Sequence, residues 1–428
     1  MSSEAIMSPL EVDEIVAAVS GHVRQLYVEK GPVAEQIAGT VEMHHAFGRY
    51  EGKTGPELRD ALVRDLRSVN GDAQLDVRFD VSLNASVDWV DDDEGRLLGD
   101  RRPNSRLSWL ELNGDGELVD AFGHLVVRSR RADPEQDARA RIKGNGVARV
   151  EVLHGNVGLI ELALFVHSDL ASSFLAAAMT LMQHTNALII DIRNTTGDES
   201  CSELLSYFIS ERLHFKTTFW RPQDILWKDY TTTTFPGPRY NPTPGARRRS
   251  VYILTSARTG HSAESFAFFM KEFGLGETVG ETTAKSGHPT RVLRAGHNHF
   301  SATIPIGKSF SRKTGKTWER VGVNPDFPCH AVDARDYAHL MALNSVVAGL
   351  NKTKALEPSR VLLAEQGLLK DSETLVRKLE AKLAVSRRHR GEIQWEKRVT
   401  IAKTKVMKAG VDTFVKTVTS TSYSPVGH

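Results

Sequence analysis

Apolar positions near the start of the chain recur at helical spacing in two stripes. Val12, Ile15, Val16, Val19 and Val23 make one, and Leu58, Leu62, Val63 and Leu66 the other, so residues 9–69 are expected to fold as helices. From residue 72 the period falls to two, in LDVRFDVSL, which predicts a strand. An acidic, turn-rich stretch at 91–99 ends in Arg101-Arg102-Pro103, the composition of a surface loop. Residues 107–112 and 125–127 are apolar runs that suit an extra hairpin. Beyond residue 147 the two periods alternate: strand 157–164, helix 170–183, strand 187–192, helix 201–211, strand 251–255, helix 263–273. Such alternation builds an α/β layer fold, because each helix covers the sheet made by its neighbours. Residues 214–249 interrupt it with a segment rich in Thr, Pro and Arg that reads as a long loop and carries Trp220, Trp227 and Tyr230.

The last part differs in kind. Residues 351–428 hold 16 Lys and Arg against 8 Asp and Glu, and Leu368, Leu375, Val376, Leu379 and Leu383 mark an amphipathic helix there. A basic helical extension, packed on the core or pairing two subunits, accounts for both features; the SRRHR cluster is too short to specify nucleic acid or a membrane surface. Across all 428 residues the net charge is only +2, which gives no reason to expect a nucleic-acid partner. The shifts in pattern divide the chain into a helical domain (1–70), strands with an inserted loop and hairpin (71–144), an α/β core (145–345) and the basic extension (351–428). No window reaches the roughly 18 apolar residues of a membrane span. The first residues lack a basic-then-apolar leader, and Cys201 and Cys329 are too few for a disulfide framework, so a cytoplasmic location is expected.

The sequence VYILTSARTGHSAESFAFFMKEFG places a serine at a strand–turn–helix junction. An apolar run ends at Thr255-Ser256, Gly260 turns the chain, and Phe266, Phe269, Met270 and Phe273 follow at helical spacing. Amides at a helix start lack intrahelical partners and attract anions, which makes the N–H groups of Ser262 and Ala263 candidate oxyanion donors and Ser262 a candidate nucleophile. Capping of the helix is the other role open to Ser262.

With NGVARVEVLHGNVGLIEL, ALIIDIRNTTGDES, VGETTAKSGHP and TWERVGVNPDF, this block resembles, in order, the C-terminal processing (tail-specific) peptidases, most closely the branch of interphotoreceptor retinoid-binding protein and the tricorn protease core. The resemblance covers about residues 145–343 and implies a crotonase-like β-superhelix core with an N-terminal helical domain and no appended PDZ domain. It also implies roles. Ser262, in GHSAESF, stands for the nucleophile of the relatives' T-F-S-x-x-E-x-F, and Glu319 for the glutamate that supports their relay, with a surface ion pair as its other reading. Gly197 matches the first glycine of D-L-R-x-N-x-G-G and is an oxyanion candidate; the second has become Asp198, whose carboxylate repels an oxyanion if it faces the site and otherwise caps the next helix.

Relatives carry their base in D-x-H-L-x-V, but this chain reads DAQLDV, so Gln74 stands where the base belongs and takes no proton at neutral pH. Three residues are candidates to replace it: Lys285, one residue before the lysine of a Ser-Lys dyad; His261, next to Ser262; and His288, in the GHP segment. Trp220 and Trp227 are candidates for a pocket wall or lid. His44-His45 and the His297/His299 pair lack acidic or thiolate partners at ligand spacing, so neither metal nor cofactor is expected. Three functions fit: a serine-hydrolase-like enzyme with a degenerate triad, acting on a peptide or small molecule; a repurposed biosynthetic enzyme (cyclase, isomerase or lyase) using the same pocket without a nucleophilic serine; or a non-catalytic binder of an apolar ligand.

Overall fold

The structure, a computed structural model, describes residues 5–29, 31–80, 111–112, 118–119, 134–197, 201–221, 224–232, 236–241, 249–356, 363–390, 395–408 and 411–425. The expected acidic loop, most of the extra hairpin and Asp198 lie outside the described residues. The first third of the chain holds α1 (Pro9–Leu26), α2 (Pro32–Ala46), α3 (Gly55–Arg67), β1 (Asp76–Phe79), β2 (Glu111–Leu112), β3 (Leu118–Val119) and α4 (Pro134–Ile142). Then come β4 (Val147–Leu153), β5 (Val157–Leu162), α5 (Ser168–Met182), β6 (Ala187–Asp191), α6 (Ser202–Ser206), β7 (His214–Trp220), β8 (Ile225–Tyr230), β9 (Ser250–Thr255) and α7 (Ser262–Glu272). The remainder is β10 (Glu277–Gly280), β11 (Thr290–Ala295), β12 (His297–Pro305), β13 (Gly307–Ser311), β14 (Phe327–Pro328), α8 (Ala334–Leu356), α9 (Leu363–Arg390), β15 (Trp395–Lys408) and β16 (Val411–Pro425).

Two compact units divide these elements, and neither is continuous in sequence. The first takes Met1–Arg131, His214–Tyr230 and Ser286–Arg320; the second takes Ala132–Leu213, Thr231–Lys285 and Val321–His428.

In the first unit, the helices begin where the sequence supplies caps. Ser8 accepts from the Glu11 amide while the Glu11 carboxylate accepts from Ser8 N–H, with Pro9 at the first helical position; Thr54 and Glu57 repeat the arrangement at α3. The valine stripe of α1 is buried, as are Leu58, Leu62 and Leu66 of α3, against Phe300, Ala302 and Ile304 of β12. Strand β12 lies between β1 and β11, antiparallel to both, and a second sheet runs β13-β7-β8. Strands β7 and β8 correct the expected loop at 214–249. Its Thr, Phe, Trp and Ile residues suit a pleated surface, and they pair around a turn in which Asp224 takes φ of +54°.

The second unit is built on a mixed sheet ordered β14-β10-β9-β6-β5-β4, parallel throughout except for the β4–β5 pair. All five residues of β6 are buried, the sign of a central strand covered on both faces. Ala334, Ala338 and Ala342 line α8 where it packs on Ile189, Leu254 and Val279. Glycine is required at 197 and 280. Gly197 has φ of +128°, and a Cβ there falls 2.4 Å from the Phe165 carbonyl oxygen; at Gly280, with φ of +131°, it falls 2.1 Å from that of Thr255. The extension corrects the expected all-helical tail. After α9, β15 and β16 pair as an antiparallel hairpin, because the helical period ends near Leu383 and the Val- and Thr-rich sequence beyond favours strand.

Candidate active site

Strand β9 delivers the chain into a tight turn that is stapled to the segment after β6. The Thr259 hydroxyl donates to the Ile192 carbonyl (2.8 Å), Gly260 N–H to that of Thr195 (3.2 Å) and Ser262 N–H to that of Gly197 (3.0 Å). Ala263 N–H closes the turn on the Gly260 carbonyl at 3.1 Å. Of the three amides expected to receive an oxyanion, that of Ala263 is therefore engaged within the turn and that of Ser262 on the Gly197 carbonyl, so Gly197 contributes its carbonyl here. The helix starts one residue earlier than expected, so Ser262 is its first residue and His261 is the cap, at φ 52° and ψ −120°.

That dihedral pair is rare for a residue with a Cβ and stores strain of about 1–3 kcal/mol. In hydrolases with a strand–nucleophile–helix elbow, the strained residue is the one whose side chain is presented at the turn. Here it is His261. The relatives' string T-F-S-x-x-E-x-F, set on Thr259, Glu264 and Phe266, gives the same register and puts His261, one residue before Ser262, in the serine's place. All three anchors are fully buried. If the turn holds His261 under strain, His261→Gly is expected to raise stability by about 1 kcal/mol, whereas Ser262→Gly, at an ordinary helical position, lowers it by a similar amount; urea unfolding measures both.

Glu264, on the first turn of α7, escaped the sequence reading although it is the glutamate of that string. Its buried carboxylate accepts from the Thr283 hydroxyl and from Lys285 N–H (2.9 Å), and Thr283 in turn accepts from Val323 N–H (2.7 Å). The segment carrying Lys285 is thus fixed through its backbone, with Lys285 at φ +64°. The Lys285 side chain is exposed, and a lysine base depends on a desolvated pocket.

His288, Glu319 and Gln74 come together in the first unit. His288 and Glu319 are both buried, with imidazole Nδ1 3.2 Å from carboxyl Oε2. Nδ1 lies 2.9 Å from the Gly307 carbonyl, which can only accept, so Nδ1 carries the proton and Nε2 keeps its lone pair. Among the described residues Nε2 is buried without a hydrogen-bond partner. The other Glu319 oxygen accepts from Ser309 N–H. Burial pushes the Glu319 carboxyl up to about 8, against the opposing pull of the Ser309 amide, Lys308 and Arg320. Burial also holds His288 below its usual value, against Asp72 and the Gly307 carbonyl, so the pair rests uncharged near neutrality. The alternative reading of Glu319 as a surface ion pair is excluded by its 4 % exposure. Gln74 brackets the His288 peptide: its Nε2 donates to the His288 carbonyl at 3.0 Å and its Oε1 accepts from His288 N–H at 2.9 Å.

Trp220 and Trp227 are half-buried residues of the β7–β8 hairpin, and the Trp220 indole N–H is buried without a partner among the described residues. No cluster of three or more His, Cys, Asp and Glu side chains suited to a metal ion occurs among the described residues, and none of their helices is long and apolar enough to cross a membrane.

Among solved structures the chain is similar to the photosystem II D1 C-terminal processing protease (15% identity over 76% of this chain and 94% of that one, TM-score 0.42). It is similar also to the tricorn protease (15%, over 79% and 37%, TM-score 0.44) and to a lipoprotein from Streptococcus agalactiae (12%, over 81% and 100%, TM-score 0.41). The sequence model of peptidase family S41 matches residues 156–329, which run from the turn before β5 to the end of β14 and take in the elbow, Gly197, His288 and Glu319. Over that segment, the chain is similar to peptidase family S41.

Proposed function

We propose that this protein is a peptidase-type hydrolase acting on the carbonyl of a peptide or small molecule, with His288 as its general base and Glu319 as the group that orients it. The observation that carries the reading is the buried pair itself, Nδ1 to Oε2 at 3.2 Å, with Nε2 left unprotonated and unpartnered. A neutral imidazole whose Nδ1 is held by the Gly307 carbonyl is the form that accepts a proton at Nε2, and the adjacent carboxyl, once ionised above about pH 8, stabilises the imidazolium. A peptide substrate is consistent with the family, and the mixed sheet of the second unit supports a crotonase-like core.

The elbow favours a second reading of the nucleophile. With His261 at the strained position and the Ser262 and Ala263 amides engaged, the acid–base pair works without an acyl-enzyme, as in a cyclase, isomerase or lyase. Labelling with a fluorophosphonate probe and hydrolysis of fluorescein-casein and a p-nitrophenyl ester separate the two. A serine mechanism predicts a label on Ser262, with Ser262→Ala removing both label and turnover by several orders of magnitude. Chemistry without that serine predicts no label and a Ser262→Ala loss of about tenfold or less.

A further inference from the structure

We propose that Gln74 is the positioning residue for His288, having exchanged the role of base for that of a clamp. The inference rests on the reading of His288 as the base. Its ground is the double hydrogen bond between one carboxamide and one peptide, across 214 residues of sequence: Nε2 to the His288 carbonyl at 3.0 Å and His288 N–H to Oε1 at 2.9 Å. Both polar atoms of the side chain are spent on a single residue, which fixes the plane of the His288 backbone from which the imidazole departs.

The clamp is itself anchored. Gln74 N–H donates to Asp72 Oδ1 (3.0 Å), and the other oxygen of that fully buried carboxylate accepts from the Tyr27 hydroxyl (2.9 Å). Asn70 accepts from Asp72 N–H (3.2 Å) and donates to Tyr27 (2.7 Å). On the next residue, the Leu75 carbonyl accepts from Arg67 Nε at 2.8 Å. A side chain placed this firmly on a base-free position is arranged to hold something, and what it holds is the segment carrying the imidazole. The charged groups acting on that imidazole are Asp72, Lys308 and Arg320, with Glu319 at its Nδ1.

Only a carboxamide of this length makes both bonds. Its oxygen and nitrogen present an acceptor and a donor side by side, matching a peptide's N–H and C=O. In an imidazole the two nitrogens point away from each other, so a histidine at 74 makes one bond at most. A carboxylate there accepts from the N–H but sets lone pairs against the carbonyl. Gln74→His is therefore expected to lower activity, although it restores the residue that relatives carry.

The test uses the full chain labelled with ¹⁵N-histidine, with long-range ¹H–¹⁵N spectra read alongside turnover of the p-nitrophenyl ester. In the unaltered protein His288 should show a single Nδ1–H tautomer and titrate below the ordinary imidazole value of about 6.5. In Gln74→Ala and Gln74→His the tautomers should mix, the midpoint should move toward that value, and kcat should fall about ten- to a hundredfold with KM nearly constant. Gln74→Glu, which keeps one of the two bonds and serves if Gln74→Ala does not fold, should fall between. Unchanged His288 signals in a folded Gln74→Ala or Gln74→Glu variant, or higher turnover in Gln74→His, overturn the inference. If the His288 signals change as expected while His288→Gln leaves turnover intact, the clamp stands and the assignment of the base fails.

Discussion

Replacing His288 by Gln should lower turnover by about a hundred- to ten-thousandfold, the range for loss of a general base, and Glu319→Gln should cost a large part of the same factor. The two effects should not add, because each removes the same proton relay. Glu319→Gln carries a second, independent signature. In the folded protein burial raises this carboxyl from 4.5 to about 8, so the folded state keeps a proton that the unfolded chain releases. The stability this contributes is whole below about pH 4.5 and is lost as pH rises through about 8. His288 acts in the opposite sense. Its lowered value makes its contribution complete above the unfolded imidazole pKa of about 6.5 and lost as pH falls. Glutamine copies the protonated carboxyl, so the variant should gain stability relative to the parent as pH is raised from 5 to 9, on the order of a few kcal/mol. Parallel curves for the two proteins across that range in pH-resolved urea unfolding would show that Glu319 is ionised in the folded state.

Gly197→Ala is expected to cost about 3–5 kcal/mol, enough to unfold a domain of ordinary stability or bring it close. Two effects combine. The backbone stands at φ +128°, outside the range of L side chains, and the new methyl meets backbone on Phe165, 2.4 Å from its oxygen and 2.8 Å from its nitrogen. Neither atom can give way, because Phe165 N–H is bonded to the Thr196 carbonyl at 2.9 Å. The Gly197 carbonyl also receives Ser262 N–H, so any displacement opens the turn at the start of α7. The control is Gly39→Ala in α2, where no atom lies within 4 Å of the new Cβ; it should stabilise by up to about 1 kcal/mol through helix propensity. Thermal unfolding of both variants tests the contrast, and a Gly197→Ala protein as stable as its parent would show that the loop at Phe165 and Gly197 is not held as described.

Local order was determined by the sequence wherever one element's own residues were sufficient. The valine stripe of α1, the leucines of α3 and the capping pairs Ser8/Glu11 and Thr54/Glu57 act within a turn or two of chain, so their periodicity and spacing specify helices directly. The alternation from β5 to α7 was legible for the same reason. Where the hydrophobic period was weak, as in β7 and β8, pairing with a partner strand decided the structure, and a Thr-rich segment that looked like loop became sheet. The site was legible as a set of residue types and not as an arrangement. Glu319 and His288 stood out, but their 3.2 Å approach, their burial and the raised carboxyl follow from packing in the first unit. Gln74 read as a missing base because spacing names a position and not a partner; its bonds to His288 link residues 214 apart. The register at the elbow was open as well. A serine beside a histidine at a turn leaves two candidates, and only backbone dihedrals, fixed by three carbonyls of the neighbouring segment, assign the strained position to His261.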